Sequence, residues 1–212
     1  MQLERIILFS DAVFAIAITL LVIELKVPAL HGEGASESAL LHALLLLLPK
    51  FIGFLISFFL IGLYWTRHHI LFGYLTDYNS RLIWLNLLFL LSIVLMPFST
   101  GIFGEYSTPQ TLHLKAPLII YVINICFTGA MLFFLWDYVG KPENRLADSG
   151  LQPDMVTGAK RRAMIISLVF MLAVPASYID AILARYIPVL IPIILRLDRA
   201  LSRKSGGTAP RP

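Results

Sequence analysis

Six apolar runs, separated by short polar clusters, divide the 212-residue chain. A helix needs about twenty apolar residues to cross roughly 30 Å of hydrocarbon at ~1.5 Å per residue. The runs predict helices over 5–28, 38–65, 80–103, 112–137, 160–180 and 182–198, with polar clusters and breakers setting the boundaries. The sixth is the weakest, because Pro188 and Pro192 interrupt a stretch that barely spans. Proline leaves backbone carbonyls that neighbouring helices must satisfy in lipid, so this segment is expected as a kinked helix packed in the bundle. Only one connection is sizeable, 137–160, which carries Gly140, Pro142, Asn144, Gly150 and Pro153. No internal repeat is visible. The organisation expected is one transmembrane domain over 1–201 and a disordered cytoplasmic tail over 202–212.

Composition sharpens the class. With 58% hydrophobic and 14% charged residues and a mean hydropathy of +0.80, the apolar side chains exceed what a water-soluble core can hold, which predicts an all-α membrane protein. The first run is too long for a signal-peptide core, contains Asp11 and leads into Lys26-Val27-Pro28 without a small-x-small cleavage pattern, so it is expected to persist as a helix. Charge placement then gives orientation. With six spans, one side holds Arg5, Arg67, Arg81, Lys141, Arg145, Lys160, Arg161, Arg162, Arg196, Arg199, Arg203, Lys204 and Arg211, and the other holds Lys26, Lys115 and Arg185. Thirteen against three, with Lys50 left inside the second helix, is a positive-inside bias that puts both termini in the cytoplasm. The basic residues lie at helix ends and form no basic-aromatic patch, so the net charge of +4 does not indicate a nucleic-acid partner. The single cysteine, Cys126, lies mid-run and excludes intrachain disulfides and cysteine metal sites.

The candidate chemistry sits near one membrane face. Arg5, Ser10 and Asp11 lie at the start of the first span, where ionisable groups are costly and turn toward protein or water. The alternative is that Arg5 and Asp11 only anchor the helix at the interface. The second helix ends Tyr64-Trp65-Thr66-Arg67-His68-His69. Adjacent helical histidines diverge by about 100° and have no third ligand at suitable spacing, which argues against metal. A hydrogen bond from one imidazole to Asp11 or Ser10 is expected, against an ordinary interfacial belt. Asn86 and Asn124 are expected to bond between helices, and Gly53 with Ser57 to permit close packing. No metalloprotease, nucleophile-elbow, phosphate-loop or dinucleotide motif occurs, so no enzyme and no cofactor are expected. The carbonyl-filter sequence of tetrameric potassium channels and an arginine-repeat voltage sensor are also missing.

The stretch Arg5-x-x-x-Phe9-Ser10-Asp11, followed by Ala12-Val13-Phe14-Ala15-Ile16-Ala17-Ile18-Thr19-Leu20, closely resembles the signature of the endosomal and lysosomal potassium channel family, transmembrane protein 175, in its short bacterial form. Trp65-x-x-His68-His69, Asn86-Leu87-Leu88-Phe89-Leu90 and Leu95-Met96-Pro97-Phe98-Ser99-Thr100 are similar to that family as well. The resemblance implies a homotetramer of six-helix subunits with the first helices around the pore; the short loops and the absence of glycosylation context separately suggest a prokaryotic plasma membrane. It also implies a constriction at Ile16, Leu20 and Ile23, and a potassium preference at Thr19 with the ion passing close to it. Arg5, Phe9, Ser10 and Asp11 then form the motif, and Trp65, His68 and Asn86 are the expected partners that hold the first helix.

Geometry is compatible with this without requiring it. Ile16, Leu20 and Ile23 fall at i, i+4 and i+7, with Thr19 about 60° from Ile16. The first helix is apolar all round, so a lipid-facing stripe has the same pattern. A ring of aliphatic side chains gates by dewetting and discriminates ions only modestly. The rival reading is a proton-coupled secondary transporter using Asp11 and the histidine pair; a scaffold without flux is a third.

Overall fold

Prolines and capping side chains explain where the helices bend and start. The computed structural model describes residues 2–29, 36–108, 110–191, 194–196 and 198. Helix α1 (Gln2–Leu20) tightens into a 3₁₀ turn over Leu21–Glu24. Helices α2 (Glu37–Leu46) and α3 (Leu48–Phe72) meet at Leu47, two residues before Pro49. Helices α4 (Ser80–Val94) and α5 (Met96–Glu105) meet in the same way at Leu95, two residues before Pro97. Both junction residues keep right-handed helical angles, so each proline, lacking an N–H and crowding the carbonyl four residues back, bends its helix without ending it. Ser36, Asn79 and Asp180 cap the starts of α2, α4 and the short α8 (Ala181–Tyr186). Helices α6 (Ala116–Val139) and α7 (Pro153–Ile179) carry proline in the first turn, where no N–H is needed.

Among the described residues, five helical stretches are long and apolar enough to cross a membrane: Gln2–Glu24, Leu48–Phe72, Ser80–Glu105, Ala116–Val139 and Pro153–Ile179. The chain is a multi-pass all-α membrane protein. The sixth expected span, 182–198, is not among them. In its described part the six-residue α8 leads into a 3₁₀ turn over Ile187–Leu190 that includes Pro188, a position unable to donate to an α-helical ladder, and residues 191, 194–196 and 198 are helical again. The expected tail at 202–212 lies outside the described residues. The expected second helix, 38–65, is α2 and α3 in sequence. Lys50 therefore stands in the first turn of α3, where its Nζ meets Glu105 Oε2 at the end of α5 at 2.6 Å.

Helices α6 and α7 approach closely at Gly129, where an added Cβ would lie 2.1 Å from Ser167 Oγ. Buried hydroxyls tie α3 and α5 to α6: Ser57 Oγ on α3 stands 2.7 Å from both Thr100 Oγ1 on α5 and Tyr121 Oη on α6. Asn124 on α6 reaches Ser99 Oγ on α5 at 3.1 Å. Cys126 is half-buried, and its thiol points to the Ser167 carbonyl across the α6–α7 seam. The loops after α3 and α6 meet at the same end of the bundle. Thr76 N–H donates to the Leu146 carbonyl and Asp148 N–H to the Tyr74 carbonyl, both at 2.9 Å. Helix α1 runs parallel to α4 in fixed register, since Gln2 meets Tyr78 and Ser10 meets Asn86, each pair 76 positions apart.

Candidate functional site

Helix α1 buries one narrow stripe, Ser10, Phe14, Ala17 and Leu21, spaced at i, i+4, i+7 and i+11. The residues with the shortest polar side chain and a small methyl in that stripe, Ser10 and Ala17, let α4 and α3 come close. Everything else follows from this rotation of the helix about its axis.

Ser10 is fully buried and its hydroxyl donates to the Ile6 carbonyl at 2.9 Å, leaving its oxygen as an acceptor. Asn86 Nδ2 fills that role from α4 at 2.9 Å. The same amide's Oδ1 stands 2.9 Å from His68 Nε2 on α3. An amide oxygen can only accept, so Nε2 carries the imidazole proton and the chain runs His68 to Asn86 to Ser10 to Ile6. The imidazole is 1% exposed and stacks on Phe72 at 3.9 Å and Phe89 at 5.5 Å between centroids, with Phe14 against its edge at 5.6 Å. Three helices thus share one polar chain sealed in aromatic rings. One position along, Trp65 Nε1–H donates to Asp11 Oδ1 at 2.9 Å and makes a second link from α3 to α1. The link stands beside an open groove of about 320 Å³ between α1 and α3, lined by Phe14, Ala15, Ile18, Ile61 and Gly62 as well.

Two of the motif residues lie apart from this network. Arg5 is exposed and makes no hydrogen bond or ion pair among the described residues. Phe9 is 53% exposed on the outer face. The expected bond from a histidine straight to Asp11 or Ser10 does not form: Asn86 stands between His68 and Ser10, while Asp11 takes Trp65. His69, about 100° round the helix from His68, has its ring beside that of Trp65 at 5.5 Å between centroids.

The second group of candidates points away from the protomer. Ile16, Leu20 and Ile23 are 60%, 40% and 67% exposed, and Thr19 is exposed between them. The Thr19 hydroxyl donates back to the Ala15 and Ile16 carbonyls at 3.0 and 2.9 Å. Its proton is occupied by its own helix, so what it offers outward is oxygen lone pairs. Among the described residues, no cluster of three or more His, Cys, Asp or Glu side chains could hold a metal ion.

A family model described as "Endosomal/lysosomal potassium channel TMEM175" matches residues 5–97, which contain all of the positions just described. Over 177 residues the chain is 30% identical to a potassium channel of Streptomyces collinus, an alignment covering 84% of this chain and 83% of that one. The chain belongs to the TMEM175 family. The crystal structure of a lysosomal potassium-selective channel TMEM175 homolog from Chamaesiphon minutus superposes with a TM-score of 0.74 at 27% identity, covering 92% of this chain and 97% of that one. A potassium channel solved in complex with a nanobody–MBP fusion matches at 20% identity and a TM-score of 0.60, covering 94% and 93%, and supports the fold alone. As a TMEM175 member the chain has the family's multi-span helical fold. The Ser57–Thr100–Tyr121 hub is a feature that sequence reasoning missed. The signal for it was hydroxyls placed within otherwise apolar spans.

Proposed function

We propose that this protein is a potassium-permeable channel of modest potassium-over-sodium selectivity, formed by four copies whose α1 helices surround the path. Ile16, Leu20 and Ile23 form the constriction, and Thr19 contributes the oxygen that a passing potassium ion meets. The observation that carries this reading is the outward turn of the α1 stripe: the protomer covers Ser10, Phe14, Ala17 and Leu21 and leaves the aliphatic row with Thr19 uncovered. Four such rows make a neck that gates by dewetting, with hydroxyl oxygens and no fixed charge. Membership of a family whose relatives carry potassium-channel names supports the same function and places the chain among channels and not enzymes.

In this reading Ser10 and Asp11, held by Asn86, His68 and Trp65, fix the rotation of α1 and so decide which face meets the ions; Arg5 and Phe9 belong to the motif without joining those bonds. One channel domain covers 1–201, with the segment after α8 completing a sixth, broken crossing. The end that carries Arg5, Arg67, Arg81, Lys141, Arg145 and Lys160 faces the cytoplasm of a prokaryotic cell, with both termini on that side. The test is flux from liposomes holding the purified protein, with potassium and sodium gradients compared for wild type and Thr19→Val. Potassium-preferring flux whose potassium-to-sodium ratio falls in the variant is the expected result. Correctly inserted protein that stays silent under both gradients refutes the channel. Saturable uptake driven by a proton gradient would replace it with the proton-coupled transporter.

A further inference from the structure

The uncovered face of α1 is longer than its aliphatic part. Arg5, Phe9, Ala12, Ile16, Thr19 and Ile23 follow one another at intervals of four, three, four, three and four positions, and all six are exposed in the protomer. A spacing that averages about 3.5 residues is the one by which helices keep a single face toward a common axis while winding left-handedly around it. At about 100° per residue, Arg5 and Phe9 both fall within about 20° of Ile16. Leu20 flanks the row beside Thr19.

The row changes character along its length. Ile16, Thr19 and Ile23 belong to the neck already described. Ala12 has the smallest side chain of the six and marks a wider ring, and Phe9 narrows the row again with an aromatic one. Arg5 follows one turn nearer the helix start, about 16 Å along the axis from Ile16. Its guanidinium stays charged throughout the physiological pH range, and among the described residues it has no carboxylate partner. Glu4, the acidic residue of that first turn, lies about 100° round the helix and off the row. Asp11 is turned to α3 by its bond to Trp65.

We propose that the lining of the ion path continues through Ala12 and Phe9 to Arg5, and that four Arg5 guanidiniums ring the cytoplasmic mouth and oppose cation entry from that side. This rests on the permeation reading, with α1 surrounding the path. Rings of charge act on ions before the narrow part is reached, by concentrating or depleting them at its entrance. Four unit charges on the order of 8 Å from the axis, screened over about one Debye length at ~0.15 M salt, lower the local potassium concentration by about three- to four-fold. Entry from the opposite side does not begin at this ring. Potassium current out of the cytoplasm is therefore smaller than current into it under equal driving force.

Currents of the full chain are recorded from inside-out membrane patches in symmetrical potassium, at low and at high ionic strength. Wild type is expected to pass less outward than inward current at low ionic strength, with the two converging as salt screens the ring. Arg5→Gln should raise the outward current by about three- to four-fold near physiological salt and remove the salt dependence. Arg5→Lys should behave as wild type, because the ring acts through its charge. Phe9→Cys in a Cys126→Ala background tests the placement even if Arg5→Gln does not fold. A water-soluble methanethiosulfonate applied from the cytoplasmic side should reduce its current, and should leave Leu8→Cys, exposed but about 80° off the row, unchanged. Arg5→Gln currents equal to wild type at both ionic strengths, or Phe9→Cys currents untouched by the reagent, overturn this inference and leave the channel standing. Wild-type patches without potassium current overturn the permeation reading, and this inference with it.

Discussion

Replacing Asn86 by leucine separates the polar chain from the packing around it, because the two side chains have similar volume. The change removes two interhelical hydrogen bonds of 2.9 Å, one to Ser10 on α1 and one to His68 on α3. Such bonds in a membrane average about 0.6 kcal/mol and reach about 1.7. It also strands the His68 Nε2–H in an aromatic enclosure with no water to replace the lost acceptor, which costs a further ~1–3 kcal/mol. The sum is about 2–4 kcal/mol. For a chain of this size about 2–4 °C accompanies each kcal/mol, so the unfolding midpoint should fall by about 4–16 °C. Thermal unfolding of detergent-solubilised protein, followed by tryptophan fluorescence, measures it. A double-mutant cycle with Ser10→Ala then tests the connectivity: Ser10→Ala alone should cost about one bond, and almost nothing once Asn86 is leucine. If Asn86→Leu unfolds within a degree of wild type, or if the two losses simply add, Asn86 does not couple α1 to α3 and the account of how α1 is held is wrong.

Gly129→Ala should destabilise by about 1–3 kcal/mol, because its Cβ would lie 2.1 Å from Ser167 Oγ, and Ser167→Ala should recover much of the loss by removing that oxygen; no rescue in thermal unfolding would refute the close approach of α6 and α7. The Asp180 carboxylate accepts from the Leu183 and Ile182 amides, Leu183 contributing most, and these bonds hold its pKa below the ordinary value. Its cap on α8 is therefore present above the ordinary carboxylate range, near pH 4, and is lost as pH falls through the lowered value. Carboxyl NMR should find Asp180 titrating below its unfolded value, with the two amides losing protection only after that step; titration at or above the ordinary value refutes the cap.

The spans were legible because lipid imposes a length on apolar sequence, and five of the six predicted runs correspond to long helices. Their ends were less legible. The run at 38–65 hides a bend at Leu47 because a proline two residues on can either bend a helix or stop it, and the neighbouring leucines suit both outcomes. The run at 182–198 was expected as a helix kinked by its prolines, and among the described residues α8 gives way to a 3₁₀ turn at Pro188 before helix resumes at 191. The face of α1 could not be read at all from an element that is apolar all round. It became fixed only when Ser10 met Asn86 and Phe14 met His68, contacts between residues more than fifty positions apart. For the same reason His68, Asn86, Trp65, Ser10 and Asp11 could be read as a set from the sequence, while the expected direct bond from a histidine to Asp11 or Ser10 is replaced by Trp65 on Asp11 and Asn86 on Ser10. Which imidazole or indole reaches which acceptor depends on angstrom-scale offsets between helices that periodicity does not encode.

The bonds that fasten α1 to its neighbours are concentrated at Ser10 and Asp11, and the Thr19 hydroxyl beyond them turns back on its own helix. From Ala12 onward α1 makes no hydrogen bond to another helix among the described residues and is held by packing, with Ala17 and Leu21 buried and Glu24 at its tip resting against Gly101. Directional bonds therefore set the rotation of α1 near its start, and shape alone sets it farther on. A change of side-chain volume at Ala17 or Gly101 can thus displace Ile16, Leu20 and Ile23 without breaking a single hydrogen bond.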